Sequence, residues 1–186
     1  MCSSQAYELF FYYSRLGYFC QFLSFDRCLA LNYNESQLMV RGKTIGIATF
    51  RWDNNSPSYL LVHHGGAYWN FPKGRQESNE TDIETALREL REETGVTKVK
   101  IIDGFREEYE YDFAAKTKKG EPEVVYKRAI FFLGEVLQAD IKISDEHIDY
   151  GWFDYSAAAQ QMPYQTSQNL LNHVHAFLLK QRDSVL

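Results

Sequence analysis

Glu89, Glu92 and Glu93 occupy positions i, i+3 and i+4 of the run Arg88-Glu89-Leu90-Arg91-Glu92-Glu93. On a helix this spacing puts three carboxylates on one stripe, where like charges cost about 0.2–0.5 kcal/mol per pair. A divalent cation reverses that sign, because hard carboxylate oxygens are the ligands Mg²⁺ and Mn²⁺ take. Arg88 and Arg91 stand in the same run and would also offset the repulsion. On the three glutamates alone, a solvated acidic helix and a metal-holding helix both account for the pattern.

The surrounding sequence supplies the helix and its neighbours. Thr81 with Glu84 three residues later is a capping-box pair, Ile83, Ala86, Leu87 and Leu90 give an apolar stripe, and Gly95 is placed to end the helix. Upstream, Lys43 to Trp52 and Ser58 to His64 are β-rich runs around the turn-forming DNNSPS, which predicts a hairpin. A Gly-Gly turn and a short strand then lead to Pro72, while His63 and His64 read as strand residues with no identifiable metal partner. Downstream lie two long β-rich runs, Lys98 to Phe113 and Val124 to Val136, joined by a polar segment. A further strand at Asp149 to Tyr155 precedes a closing helix whose stripe is Leu170, Leu171, Val174, Phe177 and Leu178. Strands, helix, strands, helix in this order imply an α/β layered domain with a mixed sheet.

Composition sets the outer limits. At 186 residues and 45% hydrophobic, the chain suits one domain with a sizeable core, and its formal net charge of -5 gives no field to draw in nucleic acid. Cys2, Cys20 and Cys28 are odd in number and lack metal-ligand spacing, which fits free thiols in a reducing cytoplasmic setting. Residues 1–38 are aromatic-rich, but Glu8, Arg15 and Asp26 interrupt them, so no run approaches the roughly 20 apolar residues of a membrane span. A basic n-region and a small-x-small cleavage site are also lacking there. Two readings of this extension stay open: an apolar arm packed on the domain or a partner, and a segment upstream of a natural start at Met39, with the domain running 39–186.

Gly74, five residues, Glu80, seven residues, then Arg88-Glu89-Leu90-Arg91-Glu92-Glu93-Thr94-Gly95-Val96 meets each fixed position of G-x5-E-x7-R-E-U-x-E-E-x-G-U. The chain from about Lys43 to Phe177 therefore resembles the Nudix hydrolases. The resemblance implies an α/β/α sandwich with a central mixed sheet, and Mg²⁺- or Mn²⁺-dependent hydrolysis of a nucleoside diphosphate linked to a second group. It implies Glu89, Glu92 and Glu93 as metal ligands, the Gly74 carbonyl as a fourth, and Arg88 with Glu80 orienting the helix. A polyphosphate repels an attacking water, so cations on its oxygens and a held water are what the chemistry needs.

WNFPKGR before the box, YKRAIFFLGEV at Tyr126 to Val136, and SDEHIDYGWFD at Ser144 to Asp154 resemble the asymmetric diadenosine tetraphosphate hydrolase branch. That resemblance implies Lys73 and Lys127 as phosphate contacts, Glu146 as a further carboxylate, and Tyr111 and Tyr164 as an adenine sandwich. Tyr68 departs from the branch, whose animal members carry His there, and puts one phosphate contact in doubt. The implied reaction releases ATP and AMP, with either Glu93 or Glu146 as general base. The partner expected is a small nucleotide, with no membrane. Removal of pyrophosphate from an RNA 5′ end and hydrolysis of diphosphoinositol polyphosphates are alternative reactions, and a non-cleaving nucleotide sensor is the non-enzymatic alternative.

Overall fold

The structure is a computed structural model describing residues 42–64, 68–116, 120 and 122–184. The extension 1–38 and its boundary at Met39 lie outside the described residues. The described elements are β1 (Gly42–Asp53), β2 (Ser56–His63), β3 (Trp69–Asn70), β4 (Lys73–Arg75), α1 (Asp82–Thr94), β5 (Val99–Lys116), β6 (Pro122–Val136), β7 (Asp149–Phe153), α2 (Tyr155–Gln161) and α3 (Gln165–Asp183).

The expected hairpin forms: Asp53 pairs with Ser56, and Asn54 and Asn55 both take positive φ, 46° and 67°. A two-residue turn matching strand twist needs that conformation, and asparagine tolerates it better than most residues. The sheet runs β3-β2-β1-β6-β5, with β4 added to β1 and β7 to β2. β1 and β6 are parallel, whereas β2, β4 and the β5–β6 pair run antiparallel to their neighbours, so the sheet is mixed as expected.

Both faces of this sheet are covered, and alternation along β1 shows how. Ile45 and Ile47 point to one core with Leu60, Ala86, Leu90 and Ile130. Ala48 and Phe50 point to the other with Tyr59, Leu61, Phe131, Leu170, Leu171, Val174 and Leu178. Thus α1 covers one face and α2 with α3 the other, which is an α/β/α sandwich. Each fully buried Leu, Ile or Phe contributes roughly 1.5–3 kcal/mol, so these two layers hold the sheet in place.

Three details differ from the sequence expectation. The segment after β7 forms α2 before the closing helix, with the Asp154 side chain capping it at 2.8 Å from the Ala157 N–H. Leu87 is 37% exposed and lies off the core, because the buried face of α1 centres on Ala86, Leu90 and Glu93, at i, i+4 and i+7. Phe177 is half-buried at the edge of its cluster. The capping box of Thr81 and Glu84 forms, and Gly95 ends α1 with φ 69°.

Candidate active site

β4 is three residues long, and its position follows from Gly46. A Cβ there would stand 2.3 Å from the Pro72 carbonyl oxygen, so only glycine lets the chain cross β1 this closely. The Ile47 N–H donates to that carbonyl at 3.1 Å, and Lys73, Gly74 and Arg75 then pair with Gly46, Ile45 and Thr44. Lys73 and Gly74 are thereby fixed to the central strand.

Gly74 receives the Glu89 carboxylate from α1. A Cβ at Gly74 would lie 1.9 Å from Glu89 Oε2, so a side chain there and this carboxylate exclude one another. Arg88 ties the remaining acids together. Its Nε donates to Glu80 Oε1 at 2.7 Å, its Nη1 to Glu89 Oε1 at 2.8 Å and Glu92 Oε2 at 2.9 Å, and its Nη2 to the Arg75 carbonyl at 2.9 Å and Glu80 Oε2 at 3.0 Å. This guanidinium holds the Glu80 carboxyl down at about 2, and the acids hold Arg88 firmly protonated. The acidic stripe is thus screened by Arg88 and spans two environments: Glu92 is exposed and Glu93 is buried.

Glu93 is the carboxylate most affected by the interior. Its Oε2 accepts the Lys73 backbone N–H at 3.0 Å, and its Oε1 lies 3.5 Å from His147 Nε2. Burial pushes its titration up to about 8, with Lys73 opposing the rise and Glu89 and Glu146 adding to it. Burial also raises Glu89. Burial lowers the Lys73 ammonium, against the pull of Glu93, and its Nζ lies 5.5 Å from the Tyr68 ring centroid. Buried carboxylates clustered beside a close-packed glycine fit a hard divalent cation, whose charge would hold them ionised.

The end of α1 anchors the second acidic segment. Lys142 N–H donates to Thr94 O at 2.9 Å and Ser144 N–H to Glu93 O at 3.2 Å. That segment carries exposed Glu146 and buried His147. Ser144 Oγ lies 3.0 Å from His147 Nδ1, and His147 Nε2 lies 3.2 Å from His64 Nδ1. The reading of His64 as a strand residue is corrected by one position. It stands one residue past β2, and its imidazole, Glu93 and His147 offer ligand atoms all within 4.8 Å of one another. β2–β7 pairing, with His63 opposite Asp149, brings these distant histidines together.

Lys127 lies opposite both Gly42 and Tyr111, lines a cleft with Lys43, Thr44 and Arg75, and has its Nζ 5.3 Å from the Phe113 ring centroid. Tyr111 is half-buried, hydrogen-bonded to the Thr44 side chain, and raised in pKa by burial. Its ring neighbours are Tyr109 at 6.1 Å and Phe113 at 6.2 Å. Tyr164 precedes α3 and is 57% exposed, with its ring 5.3 Å from Tyr68. Tyr68, expected only as a departure, is the ring that joins Tyr164 to the Lys73 end of the site.

Comparison with known proteins agrees with this arrangement. The chain is 36% identical over 134 residues to the asymmetrical bis(5'-nucleosyl)-tetraphosphatase of Mus musculus, covering 69% of this chain and 85% of that protein. A solved C. elegans Ap4A hydrolase binary complex superposes with TM-score 0.63 at 26% identity, covering 75% of this chain and 98% of that one. The E. coli dihydroneopterin triphosphate pyrophosphohydrolase shares the fold, with TM-score 0.61 at 20% identity over 72% of this chain and 94% of that one. Among the described residues no helix is long and apolar enough to cross a membrane. The NUDIX domain model matches residues 42–174, and this chain belongs to the Nudix family of hydrolases.

Proposed function

We propose that the chain hydrolyses diadenosine tetraphosphate to ATP and AMP, using Mg²⁺ or Mn²⁺, in the cytoplasm. The observation that carries this reading is the Lys73–Glu93 junction. The Lys73 N–H binds Glu93 at 3.0 Å, setting a cation for phosphate beside the carboxylates that would hold the metal. The similarity to a protein named as an asymmetrical tetraphosphatase points to the same substrate.

Glu89, Glu92, Glu93 and the Gly74 carbonyl would hold the ion, and Arg88 keeps Glu89 and Glu92 in place. When bound, the divalent ion offsets charge on the phosphate oxygens and acidifies water. Lys73 and Lys127 offset the remaining phosphate charge, and Tyr111 and Tyr164 stack on adenine, with Tyr68 beside Tyr164. Glu93 has its oxygens turned to the Lys73 N–H and to His147. Glu146 is exposed to solvent, and the proton of the attacking water passes to it.

Incubating the protein and Mg²⁺ with diadenosine tetraphosphate, 5′-triphosphorylated RNA or a diphosphoinositol polyphosphate, and identifying the products, tests the reading. ATP and AMP in equal amounts from the first substrate are expected. An intact dinucleotide alongside pyrophosphate release from the RNA would reverse the assignment, and binding without cleavage of any substrate would mark a sensor.

A further inference from the structure

We propose that His64, Glu93 and His147 form a second metal site, suited to a first-row transition ion such as Zn²⁺ and sharing Glu93 with the acidic cluster. The spacing already matches. With Zn–N near 2.0–2.1 Å, neighbouring corners of a tetrahedron stand about 3.3–3.4 Å apart. His147 Nε2 is 3.2 Å from His64 Nδ1 and 3.5 Å from Glu93 Oε1, two such edges meeting at one nitrogen. The three residues offer ligand atoms that all lie within 4.8 Å of one another, which leaves a fourth corner for water or a phosphate oxygen.

The outer contacts also suit a site. With Ser144 Oγ accepting from His147 Nδ1–H at 3.0 Å, the lone pair of Nε2 faces Glu93 and His64. An outer hydrogen bond of this kind fixes the tautomer of a ligating histidine. His64 Nδ1 turns to the same point, 3.2 Å from His147 Nε2, while its Nε2 is buried with no hydrogen-bond partner among the described residues. The Lys73 charge opposes a cation here, and the charges of Glu93 and Glu146 favour one. Two imidazoles and one carboxylate prefer Zn²⁺ or Co²⁺ to Mg²⁺, because Mg²⁺ takes oxygen donors.

The test uses the full chain stripped of metal, without substrate and without Mg²⁺, which would compete for the shared Glu93. Zn²⁺ uptake is measured by equilibrium dialysis and Co²⁺ uptake by visible absorption. The expected result is a Zn²⁺ equivalent that is lost or weakened at least ~10-fold in His64→Ala and in His147→Asn, with strong tetrahedral-type Co²⁺ absorption in the wild type only. Melting of each variant confirms that it folds, and comparison with the wild type cancels any Zn²⁺ held by Cys2, Cys20 or Cys28. Equal Zn²⁺ uptake by wild type and both folded variants would overturn the site. So would a weak, octahedral-type Co²⁺ spectrum in the wild type.

Discussion

Replacing Gly74 by alanine isolates the contact on which the acidic cluster depends. The new Cβ would stand 1.9 Å from Glu89 Oε2 and 2.0 Å from its Cδ, where ordinary contact begins at 3.4 Å. The carboxylate must therefore retreat by about 1.5 Å. Metal–ligand distances hold to within about 0.2 Å, and a misplacement near 1 Å can cost ~10²-fold in rate, or about 2.7 kcal/mol. We expect kcat for diadenosine tetraphosphate with Mg²⁺ to fall ~10²-fold or more. The fold should persist, since Gly74 does not use a positive φ and alanine is tolerated in a short strand. Steady-state kinetics and thermal melting on one preparation test both halves. Adding Gly74→Ala to Glu89→Ala should change kcat less than about threefold, because the clash partner is gone. The reasoning is refuted if Gly74→Ala alone stays within about threefold of wild type, or if it costs as much on the Glu89→Ala background.

The remaining predictions concern protonation, stacking and the extension. Glu93 titrates at about 8 when folded, above its unfolded value near 4.3, so its contribution to stability is complete at low pH and is lost as pH rises towards 8. His64, His147 and His175 have lowered folded values and contribute little change above pH ~6.5. From pH 6.5 to 8 the metal-free melting midpoint should fall, Glu93→Gln should flatten that fall, and Mg²⁺ should raise the midpoint more at pH 8; a flat wild-type profile would contradict the buried carboxyl. Tyr111→Ala or Tyr164→Ala should raise KM about tenfold with kcat little changed, since a stacked base contributes roughly 1–3 kcal/mol; an unchanged KM with a lowered midpoint would make these rings packing residues. If the natural chain starts at Met39, removal of residues 1–38 should leave turnover and midpoint unchanged, and a marked loss of solubility would instead make the extension a packed arm.

The parts legible in the sequence were those written in local spacing. The capping box, Gly95 and the acidic triplet lie within 15 residues and need no tertiary information. The hairpin followed from two asparagines that tolerate positive φ. The His64–His147 contact spans 83 positions and arises from β2–β7 pairing, which no local pattern encodes. Tyr68 was equally hidden, because its contact depends on Tyr164, just ahead of α3, returning to the end of β2. α2 had a readable signal, Asp154 three residues before Ala157, but its seven residues are too few for a helical period to stand out.

The backbone bonds from Lys142 and Ser144 to the last carbonyls of α1 make the second acidic segment an extension of the helix end. Its position is set by these bonds, so the stretch between Val136, where β6 ends, and Lys142 is where length can vary, each residue adding up to ~3.3–3.6 Å of span. Such a change is taken up ahead of the tether and leaves Glu146, two residues past Ser144, tied to the end of α1 with Glu93. Under the proposed function, the connector can thus vary in length without carrying Glu146 away from the glutamates proposed to hold the cation.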